Sequence, residues 1–132
     1  MATWLKLIGS ARSPIAEWKQ DYVGFRKANK PSIRMGDHLF LYAPGGSRRV
    51  FALAEAVSDP EHDSDFNPSK EGSCQWKLRV RYEFNLPLTS GVLIDEVSSH
   101  RDLTKSLQQQ SHIKLLPEES ESANSKLRDA KQ

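Results

Sequence analysis

Four histidines (His38, His62, His100, His112) and one cysteine (Cys74) are the residues on which metal or nucleophilic chemistry would have to rest. The histidines lie far apart, and none stands in an H-x-x-x-H or H-E-x-x-H pair, the spacings that bring two imidazoles to one face of a helix. Cys74 has no second cysteine with which to form a disulfide or a Cys-rich zinc site. His62 is flanked by Glu61, Asp63 and Asp65, but Pro60 and the missing glycine and terminal glutamate break any EF-hand pattern, so this stretch reads as a solvated acidic loop. Gly45-Gly46 lacks the lysine and spacing of a phosphate-cradling loop and reads as a turn. No G-x-S-x-G nucleophile elbow occurs. These spacings predict no metal, no cofactor and no catalytic residue, and the chain is read as a non-enzyme.

Aromatic and basic residues make a stronger pattern. Trp4, Trp18, Phe25, Tyr42, Phe51, Trp76 and Tyr82 are interleaved with lysines and arginines. Rings stack on unstacked bases at about 1–3 kcal/mol per base, and cations hold the phosphates. Phe40, Phe51, Trp76, Val80 and Phe84 alternate as core residues do and are read as packing. Trp18, on an expected helix, and Tyr42, at a strand end beside a Gly-rich turn, are better placed to line a mouth. With Trp4 they form the candidate aromatic pocket. Arg26, Lys27, Lys30, Arg48 and Arg49 are the candidate phosphate contacts.

The elements that must position these residues follow from periodicity. Trp4-Leu5-Lys6-Leu7-Ile8 reads as a first strand, closed by Gly9-Ser10. Ser13-Pro14 before Ile15-Ala16-Glu17-Trp18 predicts a short helix with an N-cap and a proline at its first position. Residues 24–30 are expected as a second one, stopped by Pro31. Residues 38–43 and 48–57, joined through Pro44-Gly45-Gly46-Ser47, predict a β-hairpin. Its second arm alternates large residues with alanine, as a strand crossing a crowded barrel interior would. Residues 59–73 read as a polar loop. Residues 74–84 give the strongest period-two run, with Trp76, Leu78, Val80, Tyr82 and Phe84 on one face. A helix over residues 102–109 and a short strand over 113–116 complete the pattern. The fold class is therefore α+β: an antiparallel or mixed, closed or partly open small barrel with short flanking helices.

The 132 residues and 37% hydrophobic content suit one domain, which buries about two-thirds of its unfolded surface without staples. Residues 1–117 are expected to form it, and residues 118–132, rich in Glu, Ser, Asn and Lys, to form a frayed or loosely helical tail. A net charge of +2 hides polarity. Residues 1–52 carry nine basic against three acidic residues, whereas residues 53–72 carry six acidic against one basic. The absence of a long apolar run or secretory leader predicts a cytoplasmic protein without membrane contact, and the mean hydropathy of -0.63 agrees.

The order of these motifs resembles the EVE domain of the PUA-like superfamily, which also holds the YTH and ASCH domains. The resemblance covers about residues 1–117. It rests on Trp4-Leu5, Gly24-Phe25-Arg26, Met35-Gly36-Asp37-His38-Leu39-Phe40-Leu41-Tyr42, Ala54-Glu55-Ala56-Val57-Ser58, Leu86-Pro87-Leu88-Thr89 and His112-Ile113-Lys114-Leu115-Leu116-Pro117. It implies a non-catalytic reader of DNA or RNA whose barrel pocket accepts a flipped, modified, for example methylated, base. Carried over by position, the pocket comprises Trp4, Trp18, Phe25, Arg26, Tyr42, Ala43, Pro44 and His112. The chain departs from the family where Ala43-Pro44 replaces His-Ser after Tyr42, and where Lys27 replaces an asparagine. Those departures leave a second reading, a protein-interaction or small-molecule-binding module on the same barrel.

Overall fold

A computed structural model describes residues 2–8, 21–25, 30–43, 48–62, 75–87, 90–98, 102–103, 107 and 112–131. Its strands are β1 (Thr3–Leu7), β2 (Tyr22–Phe25), β3 (His38–Ala43), β4 (Arg49–Ala56), β5 (Glu61–His62), β6 (Trp76–Asn85), β7 (Val92–Leu93) and β8 (His112–Lys114). A 3-10 turn (Ile94–Glu96) follows β7, and helix α1 (Pro117–Lys131) ends the chain. The hydrogen-bonded path is β2-β6-β4-β3-β1-β8, with β5 on β6 and β7 on β4. All pairs are antiparallel except β1 with β3, so the sheet is mixed.

The sheet curls into a half-barrel with two apolar faces. The inner face carries Val23, Phe25, Leu39, Leu41, Ala43, Phe51, Leu78 and Val80 together with Ala52, Ala54 and Ala56, all buried. These small residues are the alanines expected to line a crowded interior. The outer face carries Leu5, Phe40, Tyr42, Leu53 and Phe84, covered by Ile94, Val97, Leu103, Leu107 and α1. Period-two alternation thus separates neighbours such as Leu41 and Tyr42 onto opposite faces of β3.

Three elements depart from expectation, and a fourth sharpens it. Gly24 and Phe25, expected to begin a helix, extend β2 instead, because pairing with Lys77 and Trp76 of β6 satisfies their backbone. Glu61 and His62, within the expected loop, pair with the same strand end. Phe84 leaves the face of Trp76, Leu78, Val80 and Tyr82: the register passes from Ala54↔Tyr82 to Leu53↔Phe84, so Glu83 is an extra residue and the bulge turns Phe84 to the outer face. The segment expected as a frayed or loosely helical tail is a 15-residue helix that begins at Pro117. Pro117 occupies its first position, and the Glu119 carboxylate accepts the Leu116 N–H at 2.9 Å, half of a capping box.

Glu119, Ala123 and Leu127 are buried at a helical spacing of four, which docks α1 on the outer core. Leu127→Ala should therefore cost about 3 kcal/mol in a urea unfolding curve. A loss under about 0.5 kcal/mol would mean that the helix is not packed.

Candidate functional site

Strand alternation sends Trp4 and Lys6 of β1 to the inner face, while Leu5 joins the outer core. Strand β8 lies antiparallel beside β1, setting His112 opposite Lys6 and Lys114 opposite Trp4. At the other end of the strand path, β2 contributes Phe25. The sheet curls enough that these two ends meet through side chains. The Phe25 and His112 rings lie 5.0 Å apart edge to face, and Trp4 and His112 lie 5.6 Å apart at a tilt. The Lys6 ammonium is 4.9 Å from the centre of the Phe25 ring and donates to the Leu7 carbonyl at 2.6 Å. Phe25, Lys6 and His112 are buried, whereas Trp4 is partly exposed and forms the accessible edge of the group.

Trp4 is held from behind. Its indole N–H donates to the Asp37 carboxylate at 3.0 Å. The same carboxylate accepts the backbone N–H of Ala2 at 3.0 Å and of Arg34 at 3.1 Å. Burial pushes the Asp37 pKa up, but these three donors outweigh it and hold the carboxyl below its usual range. Gly36, at φ +95°, supplies the left-handed turn that presents Asp37 to all three.

The aromatic row continues into β6. Trp76 is the register partner of Phe25 and of His62, and its ring meets the His62 ring edge to face at 5.1 Å. Its indole nitrogen is buried and has no hydrogen-bond partner among the described residues. A buried donor left unpaired costs about 1–3 kcal/mol, which a ligand acceptor would relieve. Trp4, the accessible edge of the group, can therefore stack a planar ring next to the Lys6 ammonium.

Of the residues singled out in the sequence, the structure brings Trp4, Phe25 and His112 together. Tyr42 lies in the outer core, on the opposite side of the sheet from Trp4, so these two do not share a pocket. Ala43 is buried on the inner face. Lys30 is exposed. Arg48, at φ 50°, lies 3.6 Å from Asp95, and Arg49 donates to the Gly91 carbonyl at 2.7 Å. Trp18, Arg26, Lys27 and Pro44 lie outside the described residues. Arg26 and Lys27 directly follow Phe25 in the chain. Lys6 is the member that sequence reasoning misses, and Trp76 is one that it reads as packing. The signal for Lys6 was available, since it stands two residues from Trp4 on one strand.

A cavity of about 360 Å³ opens on the outer side of the sheet, lined by Thr3, His38, Phe40, Glu83, Asn124 and Arg128 among others. No helix among the described residues is long and apolar enough to cross a membrane.

A family model described as the EVE domain matches residues 11–123. Three solved structures share the fold. A protein from Rhodopseudomonas palustris, solved by NMR, has 15% identity and a TM-score of 0.59, covering 95% of this chain and 92% of its own. An X-ray structure from Agrobacterium tumefaciens has 18% identity and a TM-score of 0.57, with coverage of 98% and 93%. A hypothetical protein from Leishmania major has 20% identity and a TM-score of 0.62, with coverage of 100% and 98%. A comparison with curated proteins finds no match.

Proposed function

The chain belongs to the EVE domain family, and from that premise we propose that it is a non-enzymatic reader that takes a flipped, modified base of DNA or RNA into the curled inner face of its sheet. The observation that carries this reading is the meeting of Trp4, Phe25 and His112 around Lys6, with the unpartnered Trp76 indole N–H one strand further on. Trp4 stacks on the base, and opening of the inner face by the ligand brings a ring acceptor to the unsatisfied Trp76 N–H. Lys6 faces the electron-rich edge. Extruding a base costs a few kcal/mol, and an apolar wall that also contacts a methyl substituent recovers that cost. Arg26, Lys27 and Lys30, close to Phe25 in the chain, supply the phosphate contacts. Their cooperation with the pocket makes affinity fall as salt rises. The cytoplasm is the proposed compartment.

Titration of methylated and unmodified single-stranded and duplex oligonucleotides at two salt concentrations tests the reading. Tryptophan fluorescence and anisotropy are expected to report salt-dependent binding that prefers one modified base. Trp4→Ala should weaken it at least tenfold, in line with one lost stacking contact. Trp76→Phe should weaken it while leaving the melting midpoint nearly unchanged, because it removes an unsatisfied donor. Absence of salt-dependent binding to every oligonucleotide would sink the proposal.

A further inference from the structure

On the outer side of the sheet, three adjacent strands each place one metal-ligating side chain at the same level. His38 of β3 is the direct register partner of Glu55 of β4. Glu83 of β6 is the extra residue of the bulge, and bulges characteristically re-aim a side chain. Here the bulge delivers the Glu83 carboxylate to 3.4 Å from His38 Nε2. One donor atom from each of the three residues lies within 4.8 Å of the other two.

We propose that His38, Glu55 and Glu83 form a binding site for divalent zinc. Two ligands about 2.1 Å from a tetrahedral zinc ion stand about 3.4 Å apart, so the His38–Glu83 edge already has the required length. One Glu55 oxygen lies within 4.8 Å of the other two donor atoms and must move closer to complete the third corner. One imidazole nitrogen and two carboxylate oxygens form a borderline donor set that favours zinc over magnesium, which prefers oxygen and retains its water. Glu55 is engaged by Arg81 at 2.8 Å, but the Arg81 side chain is 74% exposed, and an ion pair so solvated yields readily to a metal. Three protein ligands leave a fourth position open. His38 and Glu83 both line the 360 Å³ cavity, so that position faces a space where Thr3, Asn124 and Arg128 can meet a water molecule or small anion on the ion. The site lies on the opposite side of the sheet from the aromatic cluster and is independent of the reader proposal.

Isothermal titration of the full chain with zinc should show one site of micromolar affinity, with magnesium at least a hundredfold weaker. His38→Asn and Glu83→Gln should each weaken zinc at least tenfold. Glu121→Gln, which removes a carboxylate of the same cavity outside the trio, should not. Equal zinc affinity in the wild type and in H38N and E83Q would overturn the proposal. Should either variant melt early, X-ray absorption of the zinc-loaded wild type decides. One imidazole among oxygen ligands supports the site, whereas sulfur or a second imidazole overturns it.

Discussion

Gly91→Ala is expected to destabilise the fold by at least about 4 kcal/mol, a large part of the 5–15 kcal/mol available to a domain of this kind. A Cβ on Gly91 would stand 2.0 Å from the Val50 carbonyl oxygen, 2.7 Å from its carbon and 2.8 Å from the Phe51 Cα. All three are backbone atoms of β4, which is paired with β3, β6 and β7 and cannot move aside without breaking those ladders. The remaining relief is to lift β7. That would release the Arg49↔Leu93 and Val50↔Val92 pairs, the Arg49 bond to the Gly91 carbonyl, and the burial of Val92 and Ile94. Gly36 provides the contrast. Its φ of +95° strains any side chain, but a Cβ there meets nothing within 4 Å, so Gly36→Ala should cost about 1 kcal/mol. Urea unfolding of both variants measures the difference. A Gly91→Ala loss no larger than that of Gly36→Ala would show that β7 is not seated against β4.

Asp37→Ala is expected to cost about 3 kcal/mol and to weaken the proposed base binding as well. Its carboxylate is the common acceptor for Ala2, Trp4 and Arg34, so its removal leaves three donors in a poorly hydrated corner. Asn is no remedy. Ala2 bonds to one oxygen and the other two donors to the second, so whichever is replaced by an amide NH2 turns a donor towards a donor. Expected losses are thus smaller for Asn, about 2 kcal/mol, but in the same direction. The pH dependence has a definite sign. A carboxyl held below its ordinary value of 3.8 in the folded state contributes fully above that value and loses the contribution as pH falls beneath it. Wild-type stability should decline in that acid window, and the Asp37→Ala variant should lack that part of the decline. Parallel acid-dependent slopes would remove Asp37 from this role.

Much of the sheet was legible because its signals are local. The hairpin of β3 and β4 was marked by two apolar runs around Gly45-Gly46, and the alanines of β4 announced the inner face before any neighbour was known. Phe84 was not legible, since a bulge leaves the alternating pattern intact while changing which face its end occupies. Helix α1 was underestimated for a related reason. Its buried stripe consists of Glu119, Ala123 and Leu127, of which only one looks apolar and large, and the capping role of Glu119 exists only with the Leu116 N–H beside it. The candidate site shows the same division. Trp4, Phe25 and His112 were each named from composition or resemblance. Composition groups Tyr42 with Trp4, but the β1–β3 register, which pairs Trp4 with Leu39, sends them to opposite faces. No sequence spacing records that residues 25 and 112 approach, because the curl that joins them is a property of the whole sheet. His38, Glu55 and Glu83 are likewise neighbours only through cross-strand register, which is why motif spacing found no metal set.

Strand β1 lies between β3 and β8, bonded to one element made after it and to another made nearly last. The aromatic group therefore draws on residues 4, 6, 25 and 112 and is complete only when β8 is in place. A nascent chain that has emerged only as far as β6 owns the hairpin, β2 and most of the inner core, but lacks the His112 ring and leaves one edge of β1 open. In the proposed reading, ligand recognition begins only once residues 112–114 have emerged and paired with β1, so a chain terminated before them would be a sheet without a complete reading site.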